Sequence, residues 1–253
     1  MIYYSLHYPH YVLGKIAKEI IYPVQQVQNE VIRHFHLETE NADLLQQNLQ
    51  LLREDKRNFV ERGDTLKPVF ETDAQHRQIR IYDYLAANVI YSTVDKKHNY
   101  LIIDRGSEDG ITNDMAVFTA TGVVGVTCDV SKQFATVMSV LHLDTRISAK
   151  ILPTNYIGTV IWTGHDTEAQ LTDIPRHVNI EVGDTVITSG YSNVYPKEIM
   201  IGTVSSTDYG RHGEGQTIKL ALSTNFYHLN SVFIAKNLYK DELDTLKSRL
   251  KNE

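Results

Sequence analysis

Apolar positions recur with two different periods along this 253-residue chain. From about Gly14 to Arg62 the spacing is helical. Setting heptad position a at Ile20, Val27, His34, Asn41 and Asn48 puts Leu37, Leu44 and Leu51 at d. Val31, Leu45 and Leu52 fall on the adjacent e column and widen the stripe. Leucine at d with Asn at successive a positions suits a parallel coiled-coil dimer, because a buried Asn pair costs stability yet fixes register. The competing reading is an amphipathic helix packed on its own domain. The Gln- and Asn-rich remainder offers little to bury against a core, which favours the coil. Asn41, Leu44, Asn48 and Leu51 are therefore the expected dimerisation residues.

Arg53 to Arg80 is dense in charge and broken by Gly63 and Pro68, so it reads as a helix end and a linker. Beyond Leu85 the period shortens to two. Strands are predicted at Ala87–Val94, Tyr100–Asp104, Ala116–Thr119, Val123–Cys128, Thr136–Leu141, Ser148–Ile151, Gly158–Trp162, Thr185–Thr188, Ile201–Ser205, Thr217–Ala221 and Ser231–Ala235. Short strands rich in Val, Ile, Thr and Tyr, separated by turn residues, indicate a sandwich or small barrels. Their number exceeds one small barrel, so two units are expected. An internal echo supports two. Asp109 to Val117 leads to Gly122-Val123-Val124-Gly125-Val126, and Glu181 to Val186 leads to Ile201-Gly202-Thr203-Val204. In each, an acidic glycine turn opens a strand, and a strand with an internal glycine follows. Such glycines mark bulges or bends, which small barrels need at their corners. The fold class is thus mainly β with an N-terminal α-helical coiled coil and two small β-barrel-like units.

Composition narrows the function. Lys and Arg number 25 against 31 Asp and Glu, a formal charge of −6. Nucleic-acid binding by counterion release needs a basic face, so no nucleic-acid partner is expected. The single cysteine, Cys128, excludes an internal disulfide and a cysteine-based zinc cluster. No run approaches the roughly 20 apolar residues that span a bilayer. Ser189 and Ser192 are the nearest nucleophile candidates for a serine peptidase. Neither sits in a G-x-S-x-G elbow, because position 194 is Val. They read as turn residues instead. His34 and His36 are two apart on a helix and point to different faces. His98, His142, His165, His177, His212 and His228 fall singly in turns or strand ends and read as surface residues. Arg211-His212-Gly213-Glu214-Gly215 reads as a hairpin tip. No catalytic residue, metal site or cofactor is expected.

Several β-region runs resemble those of the bacterial rod shape-determining protein MreC family. Tyr100 to Ile111 (YLIIDRGSEDGI), with Gly106 and Gly110, is similar to the family's apolar strand running into a Lys/Arg-Gly-Ser/Thr-x-x-Gly-Val/Ile turn. Gly122-Val-Val-Gly125-Val126 is similar to its next strand. Val182 to Gly190 (VGDTVITSG), containing Gly183, Asp184, Thr188, Ser189 and Gly190, resembles its Gly-Asp-x-Val-x-Thr-Ser-Gly run. Tyr195-Pro196 and Ile201-Gly202-Thr203-Val204 follow in the family's order. The family's pair is usually Phe-Pro followed by Gly, whereas Lys197-Glu198 follow here, which points to a different loop. These residues are expected to be structural turns.

The resemblance implies a non-enzymatic scaffold of the cell-elongation machinery on the periplasmic side of the inner membrane. Implied partners are a second copy, MreB, MreD, RodA and class B penicillin-binding proteins. Rival classes are a periplasmic adaptor of an efflux or secretion system, which would show two antiparallel heptad arms, and the envelope serine peptidase. Met1 to Gly14 holds no charged side chain but Tyr3, Tyr4, Tyr8 and Tyr11. Tyrosine favours bilayer interfaces, so 1–14 is expected to be juxtamembrane, with a membrane anchor upstream; the competing reading is that these residues pack on the coil or fray. The expected division is then 15–62 coiled-coil helix, 63–84 linker, 85–240 tandem barrels and 241–253 tail.

Overall fold

The computed structural model describes residues 39–62, 77–209 and 216–250. The expected juxtamembrane segment, the expected coil before residue 39 with Leu37, residues 63–76 of the expected linker and the expected hairpin tip at 211–215 lie outside them. Helix α1 covers 39–54 and belongs to two compact units, 1–48 and 49–253. Its end is earlier than the expected residue 62. Asp55 stops it, accepting from the Arg57 N–H at 2.8 Å and opening a single 3₁₀ turn, Lys56–Asn58. Strands β1 (Phe59–Arg62) and β2 (Arg77–Arg80) then pair antiparallel.

Two closed six-stranded barrels follow. The first uses β3 (Tyr82–Ser92), β4 (His98–Ile103), β5 (Ala116–Phe118), β6 (Val123–Val130), β7 (Ala135–His142) and β14 (Ser231–Asn237), in the order β14-β3-β4-β7-β6-β5. The second uses β8 (Arg146–Ile151), β9 (Ile157–Trp162), β10 (Glu168–Thr172), β11 (Thr185–Thr188), β12 (Met200–Tyr209) and β13 (Gln216–Leu222), ordered β10-β13-β12-β11-β8-β9. The expected tandem is therefore corrected to a nested arrangement. The chain leaves the first barrel after β7, builds the whole second barrel, and returns to close the first with β14. The reason lies in pairing: β14 hydrogen-bonds both β3 and β5, and among the described strands it alone bridges the two. Helix α2 (Lys240–Leu250) occupies the expected tail.

Alternation drives each core. In the second barrel Ile147, Ala149 and Ile151 point inward from β8, and Ile218 and Leu220 from β13, all buried. In the first, Leu101 and Ile103 meet Val137, Val232 and Ile234. Each such aliphatic side chain removed from water contributes roughly 1.5–3 kcal/mol. Closure leaves no unpaired barrel edge. Strand β10 was not predicted, because Ala169 and Leu171 are its only inward residues and its flanks are polar. Strand β3 starts at Tyr82, inside the expected linker, since Tyr82 and Tyr84 alternate with Asp83 rather than belonging to the preceding charge run.

The internal echo has a shared hydrogen-bond signature. In the first barrel, Asp114 (φ 58°) donates its N–H to Thr127 O, and Thr127 N–H returns a bond to Met115 O. In the second, Gly183 (φ 98°) donates to Val204 O, and Val204 N–H returns to Asp184 O. The internal glycine precedes the acceptor by two residues in both. A Cβ on Gly125 would lie 2.1 Å from Met138 O, and one on Gly202 would lie 2.2 Å from Ala221 O. Both glycines therefore mark where the next strand crosses too close for a side chain.

Candidate interaction surface and barrel junction

The sequence motifs converge on the join between the barrels. Thr188 ends β11 fully buried, and its hydroxyl donates to Pro196 O at 2.6 Å while accepting from Ile199 N–H at 2.9 Å. Its backbone pairs with the same loop, N–H to Ile199 O and O from Glu198 N–H. Glu198 takes φ 66° to complete the turn. Gly190 (φ 80°) lies so near Lys197 that a Cβ would sit 2.7 Å from the Lys197 Cβ. Thr188 and Gly190 thus hold the 195–198 loop in one shape.

That loop delivers Tyr195, 5% exposed, to the first barrel. Tyr82 donates its hydroxyl to Tyr195 O at 3.4 Å, a long bond. Asn237 Nδ2, at the end of β14, donates to Asn193 O at 3.0 Å, and Thr224 Oγ1 donates to Val123 O at 2.8 Å. Gly122 belongs to this join as well, because a Cβ there would meet Met200 O at 2.8 Å. Beside Tyr82, rings stack along the outside of the first barrel: Tyr82 on Tyr84, Tyr84 edge-on to Phe118, Phe118 tilted on Phe233. Outward-facing aromatics of a barrel are normally wet, yet these four are buried. Burial pushes the Tyr82 and Tyr84 hydroxyls up to about 12, and pushes Tyr195 up further. Asn58 completes the join of helix end to barrel: its Oδ1 accepts from Tyr82 N–H at 2.8 Å. Arg53 Nη2 donates to Tyr84 O at 2.9 Å. Tyr82, Tyr84 and Asn58 were missed by sequence reasoning, although the Tyr-x-Tyr alternation was a usable signal.

Of the remaining motif residues, Gly106 and Gly110 shape a turn of the first barrel and Asp184 a turn of the second. Gly106 sits against Lys132 O, where a Cβ would be 2.3 Å away, and its N–H donates to Asp109 Oδ2. Gly110 (φ 83°) turns the chain so that Ile111 enters the core at 1% exposure. Asp184 Oδ2 accepts from Glu181 N–H in the second-barrel turn.

The dimerisation candidates lie on an open helix face. Asn41, Leu44, Asn48 and Leu51 are all exposed, Leu44 by 50% and Leu51 by 66%. Leu45 and Leu52, expected to widen that stripe, are half-buried and share an i, i+4, i+7 face with the buried Leu49. The helix therefore carries two apolar stripes. Leu49 is buried on one, and the Asn41/Leu44/Asn48/Leu51 stripe is exposed.

The hydrolase candidates form no triad. Ser189 Oγ bonds Ser148 Oγ at 2.7 Å and accepts from Tyr191 N–H, and Ser192 Oγ accepts from Val194 N–H. Neither hydroxyl has a histidine or carboxylate partner among the described residues. The reading of His142 as a surface residue is corrected. It is 2% exposed, because β4 and β7 pair with His98 directly opposite.

Residues 89–236 match the sequence profile of rod shape-determining protein MreC, barrel core. The chain belongs to the MreC family. The cell shape-determining protein MreC of Listeria monocytogenes serovar 1/2a is 32% identical over 164 residues, 62% of this chain and 55% of the relative. A solved structure of MreC from Listeria monocytogenes superposes with a TM-score of 0.57 at 29% identity, covering 84% of this chain and 95% of that one. A solved complex between penicillin-binding protein PBP2 and MreC from Helicobacter pylori shares the fold, with a TM-score of 0.51 at 16% identity over 62% of this chain and 99% of that one. The chain spans about half the length of the curated MreC relatives it matches. Among the described residues no helix is long and apolar enough to cross a membrane.

Proposed function

We propose that this MreC-family chain is a non-enzymatic scaffold that dimerises through α1 and positions a peptidoglycan synthase to maintain cell shape. The observation that carries the reading is the nested pair of closed barrels bearing the MreC barrel-core pattern. The Helicobacter pylori relative was solved with a penicillin-binding protein, which supports a class B penicillin-binding protein as partner. RodA, MreD and MreB are further proposed partners. An upstream anchor would place the barrels on the periplasmic side of the inner membrane. The outward Asn41/Leu44/Asn48/Leu51 stripe fits a parallel coil, since a second copy would cover leucines that the chain leaves in water. Two linked heads raise the effective concentration for a second contact with the synthase.

Two measurements test this reading. Light scattering should give a dimer for the parent and a monomer for an Asn41→Lys/Leu44→Glu double variant. A parent that stays monomeric at tens of micromolar removes the coil while leaving the family assignment intact. A pull-down from envelope extract on the barrels should recover a penicillin-binding protein. Recovery of an outer-membrane channel alone would replace the scaffold with an adaptor.

A further inference from the structure

His98 and His142 face one another across the β4–β7 pair, their ring centroids 4.7 Å apart. Asp144 follows two residues beyond the end of β7. One ligand atom from each of the three lies within 4.8 Å of the other two. We propose that His98, His142 and Asp144 form a binding site for a divalent transition-metal ion of the Zn2+ class, with a fourth position open to solvent.

The hydrogen bonds of His142 identify the nitrogen an ion would use. The Asp144 N–H donates to His142 Nδ1 at 3.1 Å, so that nitrogen carries the lone pair and Nε2 carries the proton. Nε2–H then donates to the Tyr100 hydroxyl at 3.0 Å. Metal-binding imidazoles are fixed by an outer hydrogen bond at one nitrogen, as Nε2 is here, and an ion at Nδ1 would displace the Asp144 N–H. The ligand chemistry is two imidazoles and one carboxylate. That set suits Zn2+, Co2+ or Ni2+ rather than Mg2+ or Ca2+, which take oxygen shells.

The side-chain spacing is close to that of a ligand set, and the Asp144 amide must turn away from Nδ1 to admit the ion. His142 Nδ1 lies 3.8 Å from Asp144 Oδ2. Two ligands about 2.1 Å from a tetrahedral zinc stand roughly 3.4 Å apart. His98 and Asp144 are both exposed and free to rotate inward, while the buried His142 supplies the fixed point. Binding would cost the Asp144 N–H its imidazole acceptor, which water can replace at this surface turn. The position gives the ion a structural consequence. Residues 143–145 carry the chain from β7 into β8, so an ion here would clip the crossing between the barrels.

The test titrates the full chain with Zn2+ alone, and separately with Co2+ as a spectroscopic reporter. The parent should bind Zn2+ with a rise in Tm and should give a visible Co2+ absorption of imidazole–carboxylate type. His98→Ala and Asp144→Asn each remove an exposed side chain, and circular dichroism should show both folded. Each should weaken binding by more than about tenfold and abolish the Co2+ band, whereas Tyr100→Phe should weaken it by about tenfold and keep the band. Eleven histidines provide other weak sites, so the difference between parent and variants is the deciding quantity. Parent-like affinity and band in both variants would overturn the site, as would absence of Zn2+ binding by the parent. Neither result bears on the scaffold reading.

Discussion

Thr188 offers a direct measurement of what holds the Tyr195–Glu198 loop, because its hydroxyl and its methyl can be removed separately. Thr188→Val keeps the shape of the side chain and deletes the hydroxyl. Pro196 O then loses its 2.6 Å donor, and Ile199 N–H loses its 2.9 Å acceptor. An orphaned group out of water costs about 1–3 kcal/mol. Ile199 is only half-buried and recovers part of its loss from solvent, so the pair should cost roughly 2–4 kcal/mol. Thr188→Ser keeps both hydrogen bonds and removes one methyl, worth about 1 kcal/mol. The lone tryptophan, Trp162, is buried in β9 and reports on the second barrel, where Thr188 lies. Urea unfolding followed by its fluorescence should therefore show the larger fall in midpoint for Val and the smaller for Ser, with unchanged slope. If Ser is the more damaging, the methyl packing holds the loop and the hydrogen-bond argument fails. A Val variant as stable as the parent refutes it equally.

Gly125→Ala and Gly202→Ala should each fail to give soluble folded protein, since the new Cβ would strike a neighbouring strand's carbonyl. Gly183→Ala, with open space but φ 98°, should fold and lose only about 1 kcal/mol by thermal denaturation. Asn58→Ala removes the acceptor of Tyr82 N–H and should lower stability by about 1–3 kcal/mol in urea. The raised tyrosine pKa values carry a pH dependence. An unfolded tyrosine ionises near 10, whereas Tyr82 and Tyr84 ionise at about 12 in the fold. The folded state therefore holds these protons more tightly, and their stabilising contribution is complete below pH 10 and lost as pH rises towards 12. Tyr82→Phe/Tyr84→Phe should flatten that alkaline decline in a pH series of melting curves.

Much of the β region was legible because a two-residue period survives wherever one face is buried. Eleven of the strands follow Val-, Ile- and Thr-rich runs, and the paired glycine echoes marked equivalent corners in both barrels. Nesting was not legible. Nothing local in Ser231 to Asn237 says that it pairs with Tyr82 to Asn88 rather than with the strands just before it. The same long-range pairing hid the histidines. His98 and His142 are far apart in sequence and meet only through the β4–β7 register. The motif turns at Thr188, Gly190 and Tyr195 were visible as a string, but their joining of two barrels depends on Tyr82, which the charged stretch before it disguised. Along α1 a heptad count could not say which leucines face inward, because Leu45, Leu49 and Leu52 make an equally regular stripe beside the Asn/Leu one.

Nesting also dictates an order of events as the chain is made. The first barrel needs β14 to shut, and β14 begins 231 − 142 = 89 positions after β7 ends. All six strands of the second barrel precede it. Domains generally form as their segments emerge, N-terminal parts first, and long-range strand pairing is the slow step. The second barrel can thus complete itself while its host is still an open five-stranded sheet with β3 and β5 as bare edges. During that interval the host is the vulnerable part, available for pairing with another chain until residues 231–237 arrive to occupy both edges at once.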